Sequence, residues 1–209
     1  MKRKKYLIDL PFITGNGNKA SEINDILHQY GINIIQKNLS IDEIQSDDIR
    51  EVAKKKISGI PASMDFAIIE DSGIFINALN GFPGVYSSYI YNTIGLNGIL
   101  KLMANIENRN AYFISIITLK FDKKIILFEG MVKGRIGEKI KGNNNFGYDP
   151  IFIPDGNDKS YAELSLHEKS MTSHRKIAAE KLGEYIKENI DKILKKVNNK
   201  DKTCVQQLG

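Results

Sequence analysis

The segment at residues 66–70 constrains the fold most, because four apolar residues lead without interruption into a carboxylate. A strand that is apolar on both faces has to be covered on both faces, as the central strands of α/β proteins are. The carboxyl ends of such strands commonly open into a binding site. We therefore expect a buried strand that delivers Glu70, Asp71 and a turn at Ser72-Gly73 to a functional cleft.

Strand-like and helix-like segments alternate along the chain, which predicts an α/β fold with a mixed sheet. Tyr6–Ile13 and Ile32–Gln36 are typical of strands, and Pro11 favours an edge position or a bulge in the first of them. A helix with one apolar face is predicted over Lys19–Tyr30, and Gly31 provides its end.

The remaining segments continue this alternation. Their predicted elements are a helix over 47–58 capped by Ser46, a helix over Leu96–Ala104, a hairpin of Tyr112–Phe121 and Ile125–Arg135, a strand at Ile151–Ile153, and a long last helix capped by Thr172 or Ser173. We therefore expect one domain over residues 1–197, followed by a frayed polar tail over residues 198–209.

Composition narrows the cellular setting of the chain. Its 209 residues include a single cysteine, Cys204, so no intrachain disulfide can form and a reducing compartment, the cytoplasm, is expected. The apolar runs are shorter than the ~20 residues that span a bilayer, so no membrane association is expected. The net charge of +5 is weak support for a polyanionic partner, because part of the excess lies in lysine runs at the two ends.

A glycine-rich segment follows the first predicted strand and consists of Thr14, Gly15, Asn16, Gly17, Asn18 and Lys19. Glycines let the backbone approach a ligand closely, and free N–H groups at the start of a helix favour phosphate. Lys19 adds a positive charge beside them, although the spacing of a Walker A loop is missing. A strand-to-helix turn with a solvated lysine explains the segment equally well.

Two adjacent carboxylates, Glu70 and Asp71, end the buried strand. Adjacent strand residues point to opposite faces, so both carboxylates reach one cleft only if the turn at Ser72-Gly73 re-aims one of them. We place Asp71, which is nearer the turn, on the open side. Oxygen ligands suit Mg²⁺, which takes one or two carboxylates together with substrate phosphates. The alternative is a structural turn whose side chains cap their own backbone.

Two later segments carry groups that suit a nucleotide. Phe146–Asp149 offers aromatic faces and a carboxylate, and stacking on an aromatic ring is worth about 1–3 kcal/mol for a base. Lys169 and Arg175 can neutralise phosphate or donate hydrogen bonds to a base oxygen. Taken singly, a turn with core aromatics and a charged helix start also account for these segments.

Four segments become specific through their order along the chain. They are TGNGNK at 14–19, EDSGIFINALNGFPGVYSS at 70–88, NFGYDP at 145–150 and AELSLHEKSMTSHR at 162–175. Together they resemble the inosine triphosphate pyrophosphatase family, also called Ham1-like. The resemblance extends from near the N-terminus to the last helix, and the matching segments are most similar in sequence to those of archaeal members.

The resemblance implies a reaction and an architecture. The reaction is hydrolysis of ITP, dITP and XTP between the α and β phosphates, which gives a nucleoside monophosphate and pyrophosphate and removes abnormal nucleotides from the pool. The architecture is an elongated α/β fold with flanking helices and two lobes around a central cleft, usually as a homodimer. Purine nucleoside triphosphates, rather than nucleic acid, are the implied partners.

The resemblance also assigns roles to residues. Asp71 would be the general base and a metal ligand, Glu43 would be a further ligand of Mg²⁺, and we add Glu70 as a second candidate base. Residues 14–19 would contact the triphosphate. The other substrate contacts would come from Ser72, Phe146, Gly147, Tyr148, Asp149, Lys169, His174 and Arg175.

Two departures from the family pattern and two alternative functions stay open. Asn145 stands where family members usually have a small residue. Many bacterial members carry an E-N-A motif with a lysine downstream, and the counterpart here is Glu51-Val52-Ala53 followed by Lys54-Lys55-Lys56, which does not reveal which lysine, if any, reaches substrate. One alternative is a nucleotide- or nucleic-acid-binding module without catalysis, although no known nucleic-acid motif is present. The other is a phosphatase that releases orthophosphate.

Overall fold

The computed structural model describes residues 8–143, 146–165, 168–169 and 172–196, and the predicted tail lies outside this description. The strands of these residues are β1 (Ile8–Ile13), β2 (Ile32–Lys37), β3 (Phe66–Ile76), β4 (Asn110–Phe121), β5 (Lys124–Ile136) and β6 (Phe152–Pro154). The main helices are α1 (Gly17–Leu27), α2 (Ile49–Ser58), α3 (Ser87–Thr93), α4 (Gly95–Leu102) and α5 (His174–Glu188). None of the helices in the described residues has the length and apolarity that a membrane span requires.

One mixed sheet holds these strands in the order β2-β1-β3-β4-β5-β6. β1 is parallel to β2 and to β3, whereas β3, β4, β5 and β6 pair antiparallel in succession. The predicted α/β class with a mixed sheet and flanking helices is confirmed.

Helices cover both faces of the sheet. Alternate residues of β3 serve different faces, so that Ile68 packs in a cluster with α1 and α5, whereas Ile69 packs in a cluster with α2. Both isoleucines are fully buried, which explains why this segment has no polar face. The prediction of a strand covered on both faces is confirmed.

A third core lies at the far end of the long strands. It joins Ile74 and Ile76 of β3 to Phe113 of β4 and Ile136 of β5, and Ile99 of α4 packs in the same cluster. This core and the cluster that contains α1 and α5 define two lobes of the fold. The strands β3, β4 and β5 run from one lobe into the other, and the middle of β3 lies between the two lobes.

The acidic segment departs from its prediction. We predicted a turn at Ser72-Gly73, but β3 continues without interruption to Ile76 and pairs with β4 along its whole length. That pairing supplies backbone hydrogen bonds that keep the segment extended. The predicted turn is therefore wrong, and Glu70 and Asp71 are neighbours inside a strand.

The position of Pro11 also differs from its prediction. β1 lies inside the sheet between β2 and β3, so the predicted edge position is wrong. Pro11 is in register with Ile35 of β2, whereas the pairing of β1 with β3 is confined to Phe12 and Ile68. Because Pro11 stands outside that short ladder, its missing N–H breaks no hydrogen bond to β3.

Helix ends were predicted with mixed success. Asp48, and not Ser46, caps α2, since its carboxylate accepts a hydrogen bond of 2.8 Å from the N–H of Arg50. Ser46 instead accepts a hydrogen bond from the N–H of Asp48. Ser173 caps α5, as one of the two predicted caps, but α5 stops before residues 190–196, which form a further helical segment.

Candidate active site

A cleft of about 760 Å³ opens beside the middle of β3, between the two lobes. β1 ends at Ile13, which its register places beside Ile69, so this edge of β3 lacks a partner strand in the described sheet from Glu70 onward. The open edge gives the cleft access to both faces of β3. Glu70 and Asp71 point to opposite faces and nevertheless both line the cleft, so the predicted turn is not required to bring them together.

The cleft brings most of the predicted site residues together. Its lining includes Thr14, Gly15, Asn16, Lys19, Glu43, Glu70, Asp71, Ser72, Phe146, Gly147, Tyr148, Asp149, His174 and Arg175. Lys169 lies behind this wall and pairs with Asp149. Gly17 and Asn18 belong to the first turn of α1 and are not among the lining residues of the described chain, and their contact with substrate stays a prediction.

Glu70 is the buried anchor of the α1 and α5 side of the cleft. Its carboxylate lies 2.7 Å from Lys19 Nζ and 3.2 Å from Arg175 Nε, and it accepts a hydrogen bond of 2.8 Å from Ser115 Oγ. Burial raises the pKa of Glu70, but the charges of Lys19 and Arg175 outweigh burial and hold that pKa well below its usual range. A carboxylate so held stays ionised and is a poor acceptor for a proton.

Asp71 faces α2 and has different neighbours. Lys56 Nζ lies 2.7 Å from Asp71 Oδ1 and also contacts the Glu43 carboxylate, so Lys56 bridges the two predicted metal ligands. Burial raises the pKa of Asp71, and the opposing charge of Lys56 does not fully offset this effect. Asp71 is therefore the better proton acceptor of the two adjacent carboxylates. Lys56 is also the lysine of its run that reaches the cleft, whereas Lys54 and Lys55 are exposed outside the lining.

The residues around Asp71 have the chemistry to hold a divalent metal. Asp71 Oδ2 is buried and has no hydrogen-bond partner among the described residues, so one carboxylate oxygen is available to a cation. Glu43 Oε1 converges on the same Lys56 ammonium, which shows that the two carboxylates already accommodate one positive charge. The described residues hold no group of three or more His, Cys, Asp or Glu side chains suited to a metal. Mg²⁺ commonly takes one or two carboxylates and completes its shell with phosphate and water.

The end of the cleft near α5 is lined by the Phe146 ring and Arg175, with Lys169 behind them. Lys169 Nζ lies 4.9 Å and Arg175 Cζ 5.3 Å from the centre of the Phe146 ring. Asp149 Oδ2 holds Lys169 Nζ at 2.6 Å. The hydroxyl of Tyr148 donates to the carbonyl of Ser87 at 2.7 Å, which fixes the segment that carries Phe146. This end offers a stacking surface with hydrogen-bond donors beside it.

His174 presents a neutral imidazole to the cleft. Its ring stacks on Phe113 with the centroids 4.6 Å apart, and neither ring nitrogen has a hydrogen-bond partner among the described residues. Burial, reinforced by the charge of the neighbouring Arg175, lowers the pKa of His174 well below its usual value. One ring nitrogen is then a donor and the other an acceptor for a ligand.

Sequence analysis missed three residues that contact the predicted site. The sequence pattern does not distinguish Lys56 from the neighbouring lysines, and our sequence-based predictions do not include Ser115 or Glu22. Glu22 follows Lys19 by three residues on α1, a spacing that places both side chains on one helix face. That spacing was the available signal for Glu22, whereas the antiparallel register that brings Ser115 to Glu70 has no local signature.

Fold and cleft together define a class, an α/β enzyme whose cleft is built for a nucleotide, with cations, carboxylates and an aromatic ring on one concave surface. The particular family follows from comparison of the whole sequence. A model of the Ham1 family matches residues 10–185, and the chain belongs to the Ham1 family.

Named relatives span most of the chain. A dITP/XTP pyrophosphatase of Pyrococcus horikoshii is 46% identical over 180 residues, which cover 86% of this chain and 97% of the relative. A dITP/XTP pyrophosphatase of Methanopyrus kandleri is 45% identical over 181 residues, which cover 86% and 96% respectively. The solved Ham1 protein of Staphylococcus aureus superposes with a TM-score of 0.76 at 27% identity, over 87% of this chain and 99% of that one. The predicted family and fold are confirmed.

Proposed function

We propose that the chain hydrolyses ITP, dITP and XTP to the nucleoside monophosphate and pyrophosphate, and so clears abnormal purines from the cytoplasmic nucleotide pool. The observation that carries the proposal is that Asp71, Lys19 and the Phe146 ring line one cleft. Asp71 would supply the general base, Lys19 a cation for phosphate, and the Phe146 ring a stacking surface for the purine. Together they would contact such a substrate along its whole length. The relatives named dITP/XTP pyrophosphatase support the same reaction.

The triphosphate is proposed to lie between α1 and α2. Lys19 Nζ and Lys56 Nζ approach the middle of β3 from its two faces, and each side chain is only 20% exposed. Phosphate bound by amines that are largely shielded from water gains strong charge-assisted hydrogen bonds. Gly15 lines the cleft just before α1, which places its backbone N–H near a helix start that favours phosphate.

Glu43 and Asp71 are proposed to hold a divalent metal, and specifically Mg²⁺. The unpartnered oxygen of Asp71 and the convergence of both carboxylates on Lys56 support this assignment. Ham1-family pyrophosphatases are nucleotide hydrolases that generally need a divalent metal. When bound there, the ion would draw charge off the phosphate oxygens of the scissile linkage.

Asp71 is proposed as the general base. A water held by its carboxylate attacks the α-phosphorus, and the water proton passes to Asp71. The bond between phosphorus and the bridging oxygen breaks, and pyrophosphate leaves with the electron pair. Lys19 and Lys56 offset the charge on the departing pyrophosphate. Glu70, whose pKa is held low, instead anchors Lys19 and Arg175.

The purine is proposed to be read by Arg175. Its guanidinium donates to Glu22 at 2.9 Å and to Ser72 at 3.1 Å, and its Nε lies 3.2 Å from Glu70, which leaves further terminal N–H groups for a ligand. Hypoxanthine and xanthine present the O6 acceptor to such a donor. Adenine presents an amino group there, and a buried donor left unpaired costs about 1–3 kcal/mol.

A nucleotide panel tests this proposal. The purified protein is incubated with ITP, XTP, dGTP and ATP in Mg²⁺, with a chelator control, and the products are separated by anion-exchange chromatography. We expect monophosphate and pyrophosphate from ITP and XTP, and much slower turnover of ATP. Tight binding of ITP without turnover would contradict the proposal and indicate a binding module.

A homodimer is proposed as the assembly. The family resemblance supports it, as does the exposure of Tyr86, Tyr89 and Ile94 on and around α3, where Tyr89 is 68% exposed. Light scattering during size-exclusion chromatography is expected to give twice the mass of one chain. The mass of a single chain at micromolar concentration would contradict this assignment.

A further inference from the structure

We propose that Glu22 is a positioning residue for purine discrimination, because it ties Arg175, which lines the base end of the cleft, to Lys169, which lies behind the cleft wall. This inference rests on the proposed function, since it concerns the base end of the same site. Glu22 lies outside the four segments that carry the family resemblance and does not itself line the cleft. It therefore acts through the two cations.

The contacts of Glu22 are divided between its two oxygens. Oε1 accepts from Lys169 Nζ at 3.1 Å, and Oε2 accepts from Arg175 Nη1 at 2.9 Å. The side chain of Glu22 is 31% exposed, whereas those of Lys169 and Arg175 are only 5% and 6% exposed. Buried cations have little water to replace a lost carboxylate, so removal of Glu22 acts directly on their positions.

Glu22 is the carboxylate, among the described residues, that contacts both cations. Lys169 is otherwise paired with Asp149, and Arg175 is otherwise paired with Glu70. Without Glu22 each cation keeps one acidic partner, but the two are no longer tied to each other. The arrangement of both groups beside the Phe146 ring then loses its common anchor.

A shared anchor matters for discrimination more than for attraction. A fixed N–H donor on the protein disfavours the amino group of adenine, because two donors then face each other and neither can rotate to reach an acceptor. A donor that is free to swing tolerates an amino group, and it also holds an O6 acceptor less well. Loss of Glu22 is therefore expected to reduce the preference for ITP over ATP, measured as the ratio of their kcat/KM values. The loss is expected to act on binding more than on the chemical step.

The test compares Glu22→Gln with Asp25→Asn. The first change keeps the shape of the side chain and removes its charge, while the second removes a charge from an exposed position on the same helix. We expect Glu22→Gln to lower the ratio of kcat/KM for ITP over that for ATP about tenfold, as loss of one charge-assisted contact implies. Most of the change is expected as a higher KM for ITP. Asp25→Asn is expected to match wild type.

Inhibition by inorganic tripolyphosphate separates positioning of the base from general damage to the cleft. Tripolyphosphate has no base, so its inhibition constant is expected to stay the same in Glu22→Gln and wild type. An unchanged ratio of ITP to ATP in Glu22→Gln, or a parallel loss of tripolyphosphate inhibition, would overturn the proposal. If wild type binds ITP without cleaving it, the ratio of dissociation constants for ITP and ATP replaces the kinetic ratio, so this proposal and the proposed function fail separately.

Discussion

Glu70 and Asp71 are neighbours in β3, yet each faces a different layer of helices. Glu70 faces Lys19 and Arg175, whose two charges lower its pKa, whereas Asp71 faces Lys56 and keeps a pKa raised by burial. Adjacent strand residues face opposite sides of the sheet, which gives the two carboxylates different neighbours. Because the edge of β3 is open here, both carboxylates still line one cleft. The two adjacent carboxylates therefore suit the different roles that we propose for them, Glu70 as an anchor for cations and Asp71 as the general base.

Replacement of Asp71 by Asn tests the role of the base. The amide keeps the shape of the side chain but cannot accept the proton, so kcat for ITP is expected to fall at least about a hundredfold. Thermal unfolding followed by circular dichroism is expected to show an intact fold. Asp42→Asn, which removes an exposed carboxylate beside Glu43, is the matched control and is expected to keep activity. Activity near wild type in Asp71→Asn would refute the assignment.

Replacement of Lys56 by Met tests the electrostatics of Asp71. Lys56 lowers the pKa of Asp71 against the opposing effect of burial, so removal of its charge is expected to raise that pKa further. Since Asp71 acts as a base only when ionised, the acid limb of the profile of kcat/KM against pH is expected to move to higher pH. Lys55→Met removes an exposed charge from the same helix and is expected to leave the limb in place. A limb that does not move in Lys56→Met would contradict the role of Asp71.

For the secondary-structure elements, the local sequence pattern predicted which segments form strands more accurately than it predicted where those strands end. The strand at 66–70 was predicted from its apolar run, but its continuation to Ile76 depends on pairing with β4, about 45 residues away in sequence. The hairpin of β4 and β5 was predicted because its turn is local, and Asp122 and Lys123 both adopt the left-handed conformation of a tight turn. Pro11 misled the sequence analysis because its effect depends on how far β1 pairs with β3.

Packing of α5 on β5 positions His174 and Arg175. A Cβ added at Gly130 would lie 2.0 Å from the carbonyl oxygen of His174 and 2.7 Å from the N–H nitrogen of Ala178, so helix backbone rests directly on this glycine. Gly130→Ala is expected to push α5 outward, to lower the free energy of unfolding by about 1–3 kcal/mol, and to weaken binding of ITP. Denaturant unfolding measures the first effect and calorimetry the second.

Gly17→Ala, at the start of α1, is the control for the Gly130→Ala prediction. Its added Cβ would meet nothing within 4 Å, so stability is expected to change by less than about 0.5 kcal/mol. The same variant also tests the prediction that Gly17 contacts substrate. KM values equal to those of wild type would contradict that prediction. Equal stability of Gly130→Ala and wild type would show that α5 does not rest on β5 as described.

At the scale of the whole molecule, the site depends on contacts between distant parts of the chain. Glu22 meets Lys169 and Arg175 across 147 and 153 residues. The segments that line the cleft were predicted because the family resemblance fixed their order, whereas these long-range pairs were not predicted, since periodicity reports only local neighbours. The cleft between two lobes was implied by the resemblance and is formed by strands that cross from one core to another.

A ligand that reaches both lobes is expected to stabilise the whole molecule. A non-hydrolysable α,β-methylene analogue of ITP with Mg²⁺ contacts α1, α2, β3 and α5 in the proposed mode, and a ligand at 100 times its dissociation constant adds about 2.7 kcal/mol. Differential scanning fluorimetry is expected to show a higher Tm with this analogue, and a smaller rise with the matching analogue of ATP. Equal shifts with both analogues would contradict the proposed reading of the purine.

The position of the bond that breaks in ITP distinguishes release of pyrophosphate from release of orthophosphate. Wild-type protein is supplied with ITP and Mg²⁺ in water enriched in ¹⁸O, and the products are followed by ³¹P NMR. We expect equal amounts of IMP and pyrophosphate, with the ¹⁸O label on the phosphate of IMP because water attacks the α-phosphorus. Formation of IDP and orthophosphate, or a label on pyrophosphate, would contradict the proposed reaction.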